Sequence, residues 1–506
     1  MSVLTVLILI PLLGAALTVL VPRVAGDPRA IAKMVALGTS LVTLAAALAM
    51  AAQYNVGSGM QFTEQRDWIP SLGIHYAVGV DGLGLVMVLL TAFLVPVVIA
   101  ASWHDADDRN TAAYFALMLA LQGLAIGVFS ATDVFLFYVL FEATLIPAYF
   151  LIGGYGIASR PERARAAVKF LIFMLAGGLV MLAAVIGLYV LTARAGEPTY
   201  LIAELSALGI SGEAGRWLFV GFFFAFAVKA PLFPVHTWLP DTTAAATPGT
   251  SVLLVCVLDK IGTYGMLRFC LELFPEASLW ATPLVVVLAL ISIVYGAFLA
   301  IGQENMLRLI GLTSLSHFGF IVLGIFVFNL QGGTGAVLYM VNHGLATAAL
   351  FLVAGYLIRR RGSALIRDFG GVEKVAPVMA GMLLIGALAT AGLPGLSTFI
   401  SEFLVLVAAF AYAWWAGAIA VTGIVLAAIY VLWMYQRMMT GPVRPATEGF
   451  ADLSRRELSA VVPLVVALVV FGFFPKPLTD VINPAVEDTL VHVEDSTDPM
   501  SLGGAE

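Results

Sequence analysis

Val228-Lys229-Ala230-Pro231-Leu232-Phe233-Pro234 sets a lysine and two prolines inside a stretch that is otherwise apolar from about 215 to 238. Proline has no backbone donor and breaks a helix. An ammonium near a bilayer's midplane costs at least about 2.5–3.5 kcal/mol on insertion scales. A second interruption, Ala391-Gly392-Leu393-Pro394-Gly395, lies in the stretch 375–411 and is followed by Glu402. Two further charges, Glu142 and Lys260, sit deep in apolar segments of their own. Broken backbone at membrane depth is tolerated where it lines a polar cavity. Paired broken helices point to inverted repeats with ion sites beside the breaks. These features read as machinery for moving charge.

The rest of the chain agrees with a membrane setting. Its 506 residues are 61% hydrophobic and only 11% charged, with a mean hydropathy of +1.01. About 20 apolar residues span the ~30 Å hydrocarbon core. About fourteen such segments are present, near 3–21, 31–53, 80–102, 112–130, 133–153, 167–193, 215–238, 249–272, 279–301, 307–328, 333–358, 375–411, 414–439 and 458–474. The first lacks a signal peptide's short apolar region and cleavage site, so it is expected to be retained. The predicted fold is an all-α polytopic membrane protein with two proline-broken helices. The breaks are five segments apart, so segments 4–8 and 9–13 are expected to be inverted five-helix repeats. The expected divisions are 1–111 (three helices, with an extramembrane loop at 54–79), 112–273, 279–440, a C-terminal helix within 441–479, and an acidic, mobile tail 480–506. A short interfacial helix is expected near 199–208.

Charge counting fixes an expected orientation. With the N-terminus outside, the cytoplasmic loops hold 18 of the 25 basic residues and the outer loops 5, Arg268 among the latter. Lys229 and Lys260 are the remaining two. That bias follows the positive-inside rule.

Other chemistries find little support. Cys256 and Cys270 are the only cysteines, too few to ligate an iron–sulfur cluster, and they read as small buried hydrophobes. No phosphate-binding loop or dinucleotide fingerprint is present. Neither HxxxH nor HExxH occurs.

Depth singles out the ionisable groups. Glu142 lies nine residues beyond Asp133 at a membrane edge, which at ~1.5 Å per residue places it about 13–14 Å in. Lys260 stands eight residues from Arg268, Lys229 thirteen from Arg216, and Glu402 eight beyond its break. Burial lowers a lysine's proton affinity less when a carboxylate is near, so a partner that comes and goes makes the lysine loadable and dischargeable. The competing reading is static buried ion pairs that fix helix packing. His236, His317 and His343 fall in or beside apolar segments and titrate near neutral pH when solvated. A lone membrane histidine is more often a helix–helix hydrogen-bonder than a proton carrier. Asp259 points about 100° away from Lys260 and its role is open.

The stretch from Val228 through Pro234-Val235-His236-Thr237-Trp238-Leu239-Pro240-Asp241 resembles the signature of the antiporter-like subunits of respiratory complex I. Further matches are Gly79-Val80-Asp81-Gly82-Leu83, Phe141-Glu142-Ala143-Thr144-Leu145-Ile146-Pro147, Ser314-Leu315-Ser316-His317-Phe318-Gly319-Phe320 and Gly392-Leu393-Pro394-Gly395. The resemblance implies a proton relay in which Glu142 modulates Lys229, Lys260 joins two half-channels and Glu402 is the terminal group. His236, His317 and His343 would support the polar axis. Glutamate at 402 marks one of the three such subunits; the other two carry lysine there.

The family implies a translocase subunit without a redox centre of its own, working beside L and N antiporter-like chains and lipid. NADH, FMN, iron–sulfur clusters and quinone would belong to sister subunits. It would sit in a bacterial plasma membrane with both termini on the outer side. The alternatives are a subunit of a multi-chain sodium/proton antiporter, in which lysine is expected at 402, or of a membrane-bound hydrogenase.

Overall fold

The computed structural model describes residues 2–20 and 27–495. Twelve of its described helices are long and apolar enough to cross a membrane. The two proline-broken segments are not in that set and bring the number of segments to fourteen. All fourteen lie where the apolar stretches place them.

The chain opens with α1 (Val3–Leu20) and α2 (Pro28–Ala51), then an antiparallel hairpin of β1 (Gln61–Ile69) and β2 (Ile74–Val80). The hairpin fills the expected loop at 54–79. It is tied to the start of α1, where Ser2 N and Thr5 Oγ1 both donate to Glu64 Oε2 at 2.6 Å. Next come α3 (Gly82–Ala101), capped by Asp81, and α4 (Thr111–Ser130). The fifth segment divides at Thr144 into α5 (Val134–Ala143) and α6 (Leu145–Tyr155). Pro147 explains the hinge, because it cannot donate to the carbonyl one turn back. The long α7 (Arg160–Ala195) starts from a capping box of Ser159 and Glu162. The expected interfacial helix is α8 (Ile202–Ala207).

The seventh segment is α9 (Gly212–Lys229) followed, after the break, by α10 (Trp238–Ala245). The backbone groups freed by Pro231 and Pro234 are recovered locally. Leu232 N reaches back to Ala227 O at 3.0 Å, the Trp238 indole donates to Val228 O at 3.0 Å, and Phe233 N donates to Ser292 Oγ at 2.9 Å. Such repair is what allows a broken helix at membrane depth.

The eighth segment is continuous but uneven: α11 (Pro248–Val252), a π-helical turn (Leu253–Leu258), α12 (Lys260–Gly265) and a second π-helical turn (Met266–Leu271). π turns inside helices are rare and occur mostly at functional sites. Then follow α13 (Pro275–Ile301), α14 (Met306–Phe326) and α15 (Leu330–Arg361). The twelfth segment is broken into α16 (Pro377–Thr390) and α17 (Ser397–Tyr412), with Gly392 and Gly395 at positive φ. The Thr398 hydroxyl donates across the break to the Ala389 carbonyl, which also accepts from Gly392 N at 3.0 Å. The membrane part closes with α18 (Trp414–Met439) and α19 (Arg455–Phe473). The breaks fall in segments 7 and 12, the equivalent places of two inverted five-helix repeats.

Segment eight, α14 and α15 are enclosed by other helices along their apolar cores, whereas α1, α2, α7 and α19 present apolar faces outward. Leu179, Leu284 and Phe473 are largely exposed, which suits a hydrocarbon surround.

Three expectations are corrected. The acidic stretch after 480 is not a loose tail as far as 495, because α20 (Lys476–Asp495) is helical and packs on α3 and α15. It buries Ile482, Val486, Leu490 and Val493, a one-sided set at helical spacing, and Asn483 accepts from Thr334 at 2.7 Å. Residues 496–506, including Asp498, lie outside the described residues. Arg268 is not in an outer loop. It sits in the second π-helical turn, buried, bonded to Asp81 at 2.5 Å and to Glu272 at 3.2 Å. Lys33, also counted with the loops, is buried on α2 and pairs with Asp107.

Candidate functional site

Lys260 begins α12 and is fully buried. Its Nζ lies 2.7 Å from His343 Nδ1 on α15 and 4.2 Å above the Phe318 ring. The His343 ring is centred 5.2 Å from that of His317 on α14. His317 Nδ1 is 2.6 Å from the Tyr339 hydroxyl, which donates to Glu402 Oε1 on α17 at 2.7 Å. Tyr339 and His343 are four residues apart on α15 and share a face. A buried string of polar groups therefore runs from segment eight to the helix beyond the second break. Within it, the His343–His317 step alone is bridged by ring proximity without a direct hydrogen bond. His343 Nε2 has no partner there.

Lys229 closes α9, also buried. Its ammonium donates to Thr144 Oγ1 at 3.2 Å and lies 4.4 Å above the Phe141 ring. Thr144 is the hinge between α5 and α6, so the lysine touches the fifth segment at its bend. Glu142, on the same segment, is within electrostatic range of Lys229 but not in direct contact with it. Its Oε1 is buried with no hydrogen-bond partner. Each lysine thus sits over a phenylalanine, an arrangement that stabilises a desolvated cation.

Asp259, next to Lys260 in the chain, is buried with Oδ2 unpartnered and lies within electrostatic range of both lysines. Its charge therefore bears on both sides of the gap between them. The gap itself is narrow in backbone terms. A Cβ on Gly262 of α12 would fall 2.6 Å from Ala230 N at the break. Lys260's helix therefore packs directly on Lys229's.

His236 follows the first break, buried between Phe233 and Tyr295, with Nδ1 unpartnered. It stands apart from the Lys260–Glu402 string. One turn on, Asp241 is held by Lys169 at 2.6 Å and Arg308 at 2.5 Å. These three line a cavity of about 700 Å³ bounded by α7, α10, α14 and α15.

Of the residues singled out by sequence, Lys260, His343, His317 and Glu402 come together, Glu142 and Lys229 form a looser neighbouring pair, and His236 joins neither. Tyr339 was missed, as were Thr144 and the Arg268–Asp81–Glu272 cluster. A tyrosine inside an apolar helix carries no sequence signal beyond packing, and its two partners lie 22 and 63 residues away. Chemically, each close contact joins a donor to an acceptor.

The chain as a whole is similar to known proteins. Residues 131–427 match the family model described as NADH:quinone oxidoreductase/Mrp antiporter, TM. The NADH-quinone oxidoreductase subunit M of Mycobacterium tuberculosis is 49% identical over 97% of this chain and 94% of its own length. A chain of respiratory complex I from Thermus thermophilus with bound NADH superposes with a TM-score of 0.88 at 32% identity, covering 97% of this chain and 99% of that one. A chain of the Mrp complex from Dietzia has the same fold, with a TM-score of 0.84 at 22% identity over 96% of this chain and 97% of its own.

Proposed function

This chain belongs to the NADH:quinone oxidoreductase/Mrp antiporter transmembrane family, as a proton-translocating antiporter-like membrane subunit of the complex I type, and we propose that its protons travel through Glu142, Lys229, Asp259, Lys260, His343, His317, Tyr339 and Glu402. The observation that carries this route is the buried string Lys260–His343–His317–Tyr339–Glu402, with three contacts of 2.6–2.7 Å. Rotation of the His343 ring, or one water, completes the remaining step. Glu142 sets the charge state of Lys229 from across the α5–α6 hinge. His236 and the Asp241 cavity form the cytoplasmic approach to the first lysine.

The divisions at 112–273 and 279–440 are the two halves of the route. Electron transfer and its cofactors (NADH, FMN, iron–sulfur clusters and quinone) belong to sister subunits, and this chain has no redox centre of its own. Its neighbours in the membrane are the L and N antiporter-like chains. It lies in a bacterial plasma membrane with both termini outside, in keeping with the excess of basic residues on the cytoplasmic side, 17 to 4 once the buried Lys33 and Arg268 are taken out of the 18 and the 5. Glutamate rather than lysine at 402 favours this reading over a sodium/proton antiporter subunit.

The test is proton uptake per NADH oxidised by the assembled complex in proteoliposomes. Glu142→Gln and Lys229→Ala each lower it. Normal stoichiometry in both variants overturns the route.

A further inference from the structure

The helix α7, uncharged between Lys169 and Arg194, runs beside the Glu142–Lys229 pair, and two adjacent glycines on it meet the two partners. A Cβ on Gly177 would lie 3.3 Å from Ala225 Cα and 3.4 Å from Val228 Cβ, both on α9. That glycine lets α9, and with it Lys229, approach closely, as small residues do between membrane helices. Gly178 meets something else. A Cβ there would fall 1.8 Å from Glu142 Oε1, 2.6 Å from Cδ and 3.1 Å from Oε2. The space above Gly178 is therefore filled by the Glu142 carboxylate, whose Oε1 is the buried atom with no hydrogen-bond partner.

From this juxtaposition we infer that Gly178 is a positioning residue for the relay: its missing side chain is the seat that holds the Glu142 carboxylate at its working distance from Lys229. The inference rests on the route proposed above and adds a residue that carries no proton. Gly177 and Gly178 together make α7 a common platform, one glycine setting the height of Lys229's helix and the other the place of the carboxylate. The second half has a comparable seat. A Cβ on Gly392 would lie 1.9 Å from Glu402 Oε2. Gly392 has φ +69, so alanine there strains the backbone as well. Gly178 has helical backbone on α7, where alanine is intrinsically the better helix former. The atoms that must give way belong to the end of a flexible side chain. Gly178→Ala thus moves the carboxylate and spares the helix.

The experiment compares Gly178→Ala, Glu142→Asp, the double variant and Glu142→Gln in the assembled complex, reading proton uptake per NADH and the pH profile of coupled turnover. Expected is normal assembly of Gly178→Ala with proton uptake falling toward that of Glu142→Gln and a displaced pH profile. Shortening the acid by one methylene relieves the overlap, so the double variant is expected to pump better than Gly178→Ala alone. Wild-type uptake and pH profile in Gly178→Ala overturn the seat, as does failure of Glu142→Asp to restore pumping. Loss of assembly that Glu142→Asp does not repair also overturns it, because backbone packing would then be what the glycine serves. Normal uptake in Glu142→Gln would instead refute the relay role of Glu142 itself.

Discussion

Replacing Tyr339 with phenylalanine deletes one oxygen from the centre of the buried string and little else. The hydroxyl is 2.6 Å from His317 Nδ1 and donates to Glu402 Oε1 at 2.7 Å. The ring's edge contacts with His317 and Phe320, at 5.7 and 6.1 Å between centroids, survive in phenylalanine. A net hydrogen bond to a charged group contributes about 1.5–3 kcal/mol. If that stabilisation is lost from the transferring proton, at ~1.4 kcal/mol per decade the step slows roughly 10- to 150-fold. Structural hydrogen bonds between membrane helices contribute only about 0.6 kcal/mol on average, so assembly of the complex is expected to be unchanged. The assay is reconstitution of the purified complex into liposomes, with a pH dye and NADH oxidation followed together. Tyr339→Phe is expected to assemble normally and to pump fewer protons per NADH. An assembled variant with wild-type turnover and wild-type proton yield refutes the claim that the proton crosses this hydroxyl.

Arg268→Gln strands the buried Asp81 and the half-buried Glu272, and breaking such a cluster costs about 3–5 kcal/mol. The expected result is a lower thermal midpoint of the complex, partly restored by Asp81→Asn in the same chain; an unchanged midpoint in Arg268→Gln would show the cluster is idle. On the β1–β2 hairpin, backbone donation from Ser2 and then the Thr5 hydroxyl lower the Glu64 pKa from 4.5 to about 2. A depressed carboxylate stabilises the folded state above its unfolded value and loses that contribution as pH falls through the folded one. The tie between hairpin and α1 is therefore expected to weaken between about pH 4.5 and about pH 2, seen as faster amide exchange at the start of α1. Exchange that ignores pH over this window, or that keeps its pH dependence in Glu64→Gln, contradicts the tie.

The parts of this molecule that the sequence announces are those where one residue violates its surroundings. Lys229, Lys260, Glu142 and Glu402 stand out because charge is scarce in apolar segments, and Pro231 and Pro394 because helices reject them. The string between Lys260 and Glu402 was only half visible. Histidines at 317 and 343 can be read as carriers or as packing, and only the fold brings His317 against Tyr339. Arg268 was misplaced because an arginine near a segment's end ordinarily reaches for the interface; its partner Asp81 is 187 residues away. The helix α20 was legible in principle, since Ile482, Val486 and Leu490 repeat every four residues, but the acidic residues between them suggested solvent. Glu142 was expected to modulate Lys229 as a partner that comes and goes. The bend at Thr144 instead offers the lysine a hydroxyl and leaves the carboxylate lying on Gly178.

The two broken segments have a consequence for how the chain enters the membrane at all. Every other segment offers the insertion machinery an apolar span of at least 18 residues, up to the 36 of α7. The seventh carries Lys229 at its end and stops at a proline, and the twelfth is split into helices of 14 and 16 residues. Each lies in sequence between segments that qualify on their own, α7 and Pro248–Leu271 for one, α15 and α18 for the other. During synthesis the broken segments are thus expected to be admitted together with these neighbours, as hairpins, and to find partners for their loose carbonyls only as the neighbours close around them. The residues that make the protein useful to the membrane are the ones the membrane is slowest to accept.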